Sequence, residues 1–263
     1  MNKSAVNNQE DYTFAYQPIV RALNQTVVGH ELLLREFHSL SNRAFLSEPD
    51  LFCENLNELV ECKAMTMKHL MIECGVEVLF VNFTPDQIAH PNFNQSLSHF
   101  YKQGIAPSSV AIEVTEQNYA KDTDAFYENL KAARRNGHPV VVDDFGSGVS
   151  NFNHVKELRP SIVKTDKSLL DSAIGDDYCV EFLRNLVNFL RQIGCKVVIE
   201  GVETERHLEI ANLCDANFLQ GYYFGKPISM PSSNHAHLNH AEVISKRLND
   251  LVRRQLTSDF VLA

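Results

Sequence analysis

Asn82, Glu113, Asp143, Asp144, Lys164, Glu200 and Gln220 each stand at the downstream end of a short apolar or β-branched run. Asn82 closes Val78 to Val81, Glu113 and Glu116 close the run from Val110, and Asp143 and Asp144 close Val140 to Val142. Lys164 and Asp166 follow Ile162-Val163, Glu200 and Glu203 follow Val197 to Ile199, and Gln220 follows Asn217 to Leu219. Carboxylates gathered in one place repel and raise one another's pKa unless a cation neutralises them. The array Glu31, Glu113, Asp143, Asp144 and Glu200, with Asn82 as a neutral oxygen donor, is therefore read as a hard-metal site for Mg²⁺ or Mn²⁺. Two ions about 3.5–4 Å apart would activate a water and stabilise both attacking and leaving oxygens of an in-line displacement at phosphorus.

A single acid at a strand end is more often a helix N-cap or a loop salt bridge than a ligand. Five or six at equivalent ends reverse that preference. Asp143-Asp144-Phe145-Gly146 also contains the DFG of protein kinases, but no HRD-type loop precedes it and no GxGxxG loop is present, which excludes that reading.

The elements that must position these residues are a succession of strands and helices. Strand-like runs at Val78–Val81, Val110–Val114, Pro139–Val142, Ile162–Val163, Lys196–Ile199 and Asn217–Leu219 alternate with amphipathic segments. Among the latter, Asp124–Asn136 carries Phe126, Leu130 and Ala133 at helical spacing, and Tyr178–Ile193 carries Phe182, Leu186, Phe189 and Leu190. Gly137 and Gly194 read as C-caps of these two helices. The alternation predicts a parallel sheet, and for one domain of this length a (β/α)8 TIM-like barrel is the economical closure. The strand ends then converge on the C-terminal face, where such barrels hold their active sites.

The opening breaks the repeat: Thr13–Ile19 and Thr26–Leu34 read as two strands around an Asn24-Gln25 turn, a barrel with an antiparallel first strand. Glu36 to Met71 reads as mostly helical, and the Leu and Met positions from Leu51 onward read as core. The expected organisation is a flexible segment 1–12, a single barrel domain 13–257 with a closing helix from about Ala241 to Gln255, and a tail 258–263. His235, His237 and His240 precede that helix without an acidic or Cys partner in register and read as a solvated helix start.

The 263 residues are 44% hydrophobic and 22% charged, enough for a full core. The formal charge of -9, without a Lys/Arg run, excludes a grip on a nucleic acid polymer and leaves a small anion brought in by cations. Cys53, Cys62, Cys74, Cys179, Cys195 and Cys214 form no CxxC pair and read as buried reduced thiols. The polar Met1–Asp11 stretch lacks a signal-peptide core and no run is long enough to span a bilayer, so the expectation is a cytoplasmic protein without membrane contact. The Asn-x-Ser/Thr triplets at Asn24, Asn82 and Asn94 are then chance matches.

Glu31-Leu32-Leu33-Leu34-Arg35, Tyr16-Gln17-Pro18-Ile19-Val20 and Val81-Asn82-Phe83-Thr84 are similar to the name-giving signature, opening strand and asparagine motif of the EAL-domain cyclic di-GMP phosphodiesterases, which the chain resembles from Thr13 to Ser229. Ile112–Glu116, Asp143–Gly148, Val163–Asp166, Glu200–Thr204 and Gln220–Phe224 follow in the same order. Each fragment is weak alone, and the ordered set is highly specific.

The resemblance implies cyclic di-GMP as substrate, linear pGpG as product, Mg²⁺ or Mn²⁺ as cofactor and a homodimer. It implies metal ligation by Glu31, Asn82, Glu113, Asp143 and Asp144, with Glu200 as general base or further ligand. Lys164 would hold the attacking water or a phosphate oxygen, and a lysine among carboxylates stays protonated. Gln17, Arg35, Gln220, Asp166 and Glu203 fall at substrate-contacting positions, and Glu116 matches the glutamate that steadies the Asp144–Gly148 loop. Leu32 replaces the motif's Ala and should point away from the metals if Glu31 points in. Glu36–Leu51 departs from the stretch that frames a guanine, so one base pocket is expected to differ. The alternatives are a catalytically silent EAL-like module that binds cyclic di-GMP or another protein, and a barrel phosphodiesterase for another nucleotide.

Overall fold

The computed structural model describes residues 12–38, 40–48, 50–115, 120–147 and 152–230. The N-terminal segment to Asp11, the expected closing helix, the three histidines before it and Glu116 lie outside the described residues.

Among the described residues ten strands form the sheet: β1 (Tyr12–Arg21), β2 (Val27–Phe37), β3 (Leu40–Ser41), β4 (Leu79–Phe83), β5 (Val110–Val114), β6 (Val140–Phe145), β7 (Ile162–Thr165), β8 (Lys196–Ile199), β9 (Phe218–Gln220) and β10 (Ile228–Ser229). From β2 through β4 to β9, each neighbour in the barrel is parallel to the last. β1 closes the ring by pairing antiparallel with β2 on one side and β9 on the other. The expected TIM-like barrel with an inverted first strand is therefore the observed fold. β3 and β10 are short antiparallel additions to β2 and β1.

The inversion follows from the opening hairpin. The Arg21 amide donates to the Thr26 carbonyl at 2.8 Å, and Asn24 Oδ1 accepts from Thr26 Oγ1 at 2.7 Å, so the chain reverses between the two strands. β2 then runs on to Phe37, and β3 follows, before helices Asn42–Ser47, Asp50–Glu54 and Leu56–Cys74. The start of the segment read as helical, Glu36–Phe37, is thus strand. The Tyr12–Phe37 and Thr13–Glu36 pairings hold it extended, against the helix propensity of its Leu-Leu-Leu-Arg-Glu run.

The outer helices fit their sequences. Asp122 caps Thr123–Arg135 by accepting from the Ala125 amide, and Asp176 caps Asp177–Gln192 through the Tyr178 and Cys179 amides. Gly137 and Gly194 follow these helices with φ of 101° and 92°, as C-terminal caps require. Buried side chains on the helices pack on outward strand residues in two clusters. One holds Leu32, Val81, Ile112 and Val142 against Leu59, Met67, Phe126 and Leu130, and the other holds Val163, Val197 and Ile199 against Leu183, Val187 and Leu190. Such side chains each contribute about 1.5–3 kcal/mol on burial. All six cysteines are free, but only Cys62, Cys195 and Cys214 are buried as expected, while Cys53, Cys74 and Cys179 are half-buried. No described helix is long and apolar enough to cross a membrane.

Candidate active site

Strand periodicity builds the site. Ile19, Phe80, Ala111, Val141, Ile162 and Val198, with Phe218 against them, form a separate apolar cluster inside the barrel. Strand side chains alternate, so the residue two positions further along each parallel strand shares that interior face. Those residues are Asn82, Glu113, Asp143, Lys164, Glu200 and Gln220. On β1, which runs the other way, the equivalent residue is Gln17, paired with Glu31 of β2. Every barrel strand thus delivers one polar side chain to a layer above an apolar floor.

Lys164 occupies the centre of this layer and is buried. Its Nζ lies 2.5 Å from Glu113, 2.7 Å from Glu200, 3.1 Å from Asp143 and 3.3 Å from Glu31. Glu31 is further held by Asn82 Nδ2 at 3.0 Å and Gln220 Nε2 at 2.7 Å. Gln220 Nε2 also reaches Gln17 Oε1 at 3.4 Å, and Gln17 Nε2 donates to the Gly225 carbonyl at 3.1 Å. As expected, Leu32 lies in the outer core while Glu31 lies in the polar layer.

Regular alternation would send Asp143 and Asp144 to opposite faces. A register shift in β6 between Val142 and Phe145 and a left-handed φ of 49° at Asp144 break the alternation. Asp143, Asp144 and Glu200 consequently offer carboxylate oxygens within 4.8 Å of one another. Glu200 and Gln220 are held close because the loop after β8 touches the turn after β9. Val202 donates to the Gln220 carbonyl at 3.1 Å, and a Cβ on Gly221 would overlap the Val202 backbone.

The charges are unbalanced. Burial, and then Asp143 and Glu31 beside it, hold the Glu113 carboxyl well above its usual range despite Lys164. Burial and the same carboxylates push Glu200 up to about 8. Burial alone would raise Glu31 too, but Lys164 and the amides of Gln220 and Asn82 bring it below the ordinary value. Burial disfavours the Lys164 ammonium, yet Asp143, Glu113, Glu200 and Glu31 outweigh it and keep the lysine protonated. Glu113 Oε2 and Gln220 Oε1 are buried with no hydrogen-bond partner among the described residues. Oxygen donors in excess of donatable protons, with buried acceptors left over, fit a hard dication.

The remaining residues singled out from sequence sit elsewhere. Asp166 caps helix Lys167–Ser172, accepting from the Ser168 amide at 2.9 Å. Glu203 is paired with Lys167 at 2.8 Å. Arg35 is half-buried on β2 and makes no hydrogen bond or ion pair with a described residue. Sequence reasoning missed Lys63, which donates to the Asn82 carbonyl at 2.7 Å. The available signal was a lysine set between Val60 and Met67 on the apolar stripe of its helix.

Comparison with known proteins decides the family: the EAL domain model matches residues 3–227. The chain belongs to the EAL domain family. It is 30% identical over 222 residues to the bifunctional diguanylate cyclase/cyclic di-GMP phosphodiesterase MucR of Pseudomonas aeruginosa, a match covering 81% of this chain and 32% of that protein. It is 27% identical over 237 residues to the probable cyclic di-GMP phosphodiesterase PdeG of Escherichia coli, covering 86% of this chain and 46% of PdeG. The chain therefore spans less than half the length of either relative.

Among solved structures, the MucR phosphodiesterase in complex with cyclic di-GMP superposes with a TM-score of 0.72 at 27% identity, covering 83% of this chain and 92% of that one. Klebsiella pneumoniae BlrP1 with manganese and cyclic di-GMP gives 0.73 at 26%, covering 85% and 57%. The EAL barrel is thus shared with proteins named as cyclic di-GMP phosphodiesterases.

Proposed function

We propose that this EAL domain hydrolyses cyclic di-GMP to linear pGpG with the help of Mg²⁺ or Mn²⁺. The observation that carries the reading is the polar layer itself: the carboxylates of Glu31, Glu113, Asp143 and Glu200 around one buried lysine, with Asp144 beside them. Glu31, Asn82, Glu113, Asp143 and Asp144 would hold one or two dications. Such ions supply a field that stabilises charge at phosphorus and eases deprotonation of water.

The protein's own groups account for the rest. Lys164, kept cationic by its neighbours, orients an oxygen of the water or the phosphate and does not itself exchange a proton. Glu200, at the exit of β8, takes the proton of the attacking water. As the new P–O bond forms, the P–O3′ bond breaks and the 3′ oxygen takes up a proton, leaving a 5′-phosphate on linear pGpG. Gln17, Gln220 and Arg35 are assigned to substrate contact and support. Asp166 and Glu203 remain proposed substrate contacts at the rim, each leaving its present partner to serve.

A homodimer is part of this reading. Phe152, Tyr178, Phe182 and Phe189 expose large apolar surface on helices Phe152–Leu158 and Asp177–Gln192, and the Phe152 ring packs edge-on between Phe145 and Phe189. A second copy is the occupant proposed for this face, and sedimentation equilibrium giving a monomer would remove it.

The catalytic reading is tested by incubating the protein with cyclic di-GMP and Mg²⁺ or Mn²⁺ and resolving products by chromatography. The expected result is pGpG, lost with EDTA and in Asp143→Asn. Binding without product would instead favour a silent receptor, and neither binding nor product would favour a protein-interaction module or another nucleotide.

A further inference from the structure

Lys63 lies on helix Leu56–Cys74, outside the barrel, among the buried Val60, Ala64 and Met67. Its side chain is buried, with Nζ 4.3 Å from the centroid of the Phe83 ring and 2.7 Å from the main-chain oxygen of Asn82. An ammonium in such a place is costly, and an apolar residue of similar shape is often as stable or more so. Fold stability alone does not account for a lysine here.

The strand geometry shows what it does. Pairing between β2 and β4 ends at Leu32 and Val81, so Asn82 stands one residue past the last pair on that edge. Its carbonyl is taken by Lys63 from the helix side. The Asn82 side chain meanwhile donates through Nδ2 to Glu31, which leaves Oδ1 as its donor atom for a cation. One continuous set of hydrogen bonds therefore links the outer helix to the carboxylate layer.

We propose that Lys63 is a positioning residue for the metal centre, fixing the main chain of Asn82 so that its amide keeps Oδ1 available to the cation. The inference rests on the reading of Asn82 as a metal ligand. Residues that orient a ligand from behind typically set metal affinity by 10–100-fold.

The test is a double-mutant cycle on the full chain, read by electron paramagnetic resonance of free Mn²⁺ during titration, with thermal melts in EDTA. Lys63→Met should weaken Mn²⁺ binding about tenfold while the EDTA melting temperature holds or rises. Asn82→Ala should also weaken binding, and adding Lys63→Met to it should cost nothing more. Should the Met variant not fold, Lys63→Gln serves in the same cycle. Wild-type Mn²⁺ affinity in the Lys63 variant alongside a weakened Asn82→Ala overturns the inference alone. So does a loss that persists undiminished in the Asn82→Ala background, or one matched by a fall in the EDTA melting temperature. Wild-type affinity in Asn82→Ala overturns the ligand reading and takes this inference with it.

Discussion

Among the described residues, replacing Lys164 by Met removes the only ammonium within the carboxylate layer while keeping an unbranched side chain of similar volume. In the wild type that ammonium sits 2.5–3.3 Å from Glu113, Glu200, Asp143 and Glu31, and itself is buried. Removing one partner of a buried ion cluster leaves the others uncompensated, at a cost of about 3–5 kcal/mol. A domain of this size loses roughly 2–4 °C of melting temperature per kcal/mol, so the metal-free variant should melt about 6–20 °C below wild type. The assay is differential scanning calorimetry in EDTA, followed by the same scan in excess Mn²⁺. Without the competing ammonium the carboxylates should attract a dication more strongly, so the Mn²⁺-induced rise should be larger in the variant. Equal melting temperatures in EDTA, or a smaller Mn²⁺ response in the variant, would refute the view that Lys164 neutralises this cluster in place of a metal.

Glu200→Gln should lower kcat for cyclic di-GMP hydrolysis by about 10²–10⁴ while Mn²⁺ still binds, and near-normal turnover would remove Glu200 as the proton acceptor. His30, edge-on to Tyr16 at 5.5 Å, is pushed by burial down to about 4 from 6.5. The unfolded chain then binds the extra proton more readily, so the stability that neutral His30 permits is full above pH 6.5 and is lost as pH falls towards 4. By linkage this amounts to about 2–3 kcal/mol at pH 4.5. His30→Phe should flatten that part of the acid limb in urea titrations, and an unchanged slope between pH 7 and 4.5 would count against it.

Much of this site was readable before any coordinates because a strand has a period of two. Once Phe80, Val141, Ile162 and Val198 are taken as floor, Asn82, Asp143, Lys164 and Glu200 must share their face. Less readable were features set by neighbours rather than by local pattern. Glu36–Phe37 is strand because Tyr12 and Thr13 pair with it, a contact between segments more than twenty residues apart. Asp166 stands at a strand exit like Glu200, and only the geometry shows that its carboxylate also accepts from the Ser168 amide as a helix cap. Lys63 was hidden for the opposite reason: lysine on a helix is usually solvated, and only the distance to the Asn82 carbonyl shows otherwise.

These observations explain why a barrel tolerates a cluster that opposes folding. Glu113, buried, and Glu200, half-buried, are carboxyls pushed upward by desolvation and by the carboxylates beside them, so the layer is strained electrostatically. The floor of Ile19, Phe80, Ala111, Val141, Ile162 and Val198, and the helices packed outside, hold the strand ends where they are regardless. Relaxation by moving a carboxylate away would require a strand to leave its register, and a one-residue slip would turn every inward residue of that strand outward. The cheaper relief is a positive charge. Lys164 supplies one, which is too little for Glu31, Glu113, Asp143 and Glu200 together, and Asp144 adds to the excess. On the proposed reading, divalent cations would relieve the strain that the fold imposes, and affinity for them would follow from how rigidly the strands are registered.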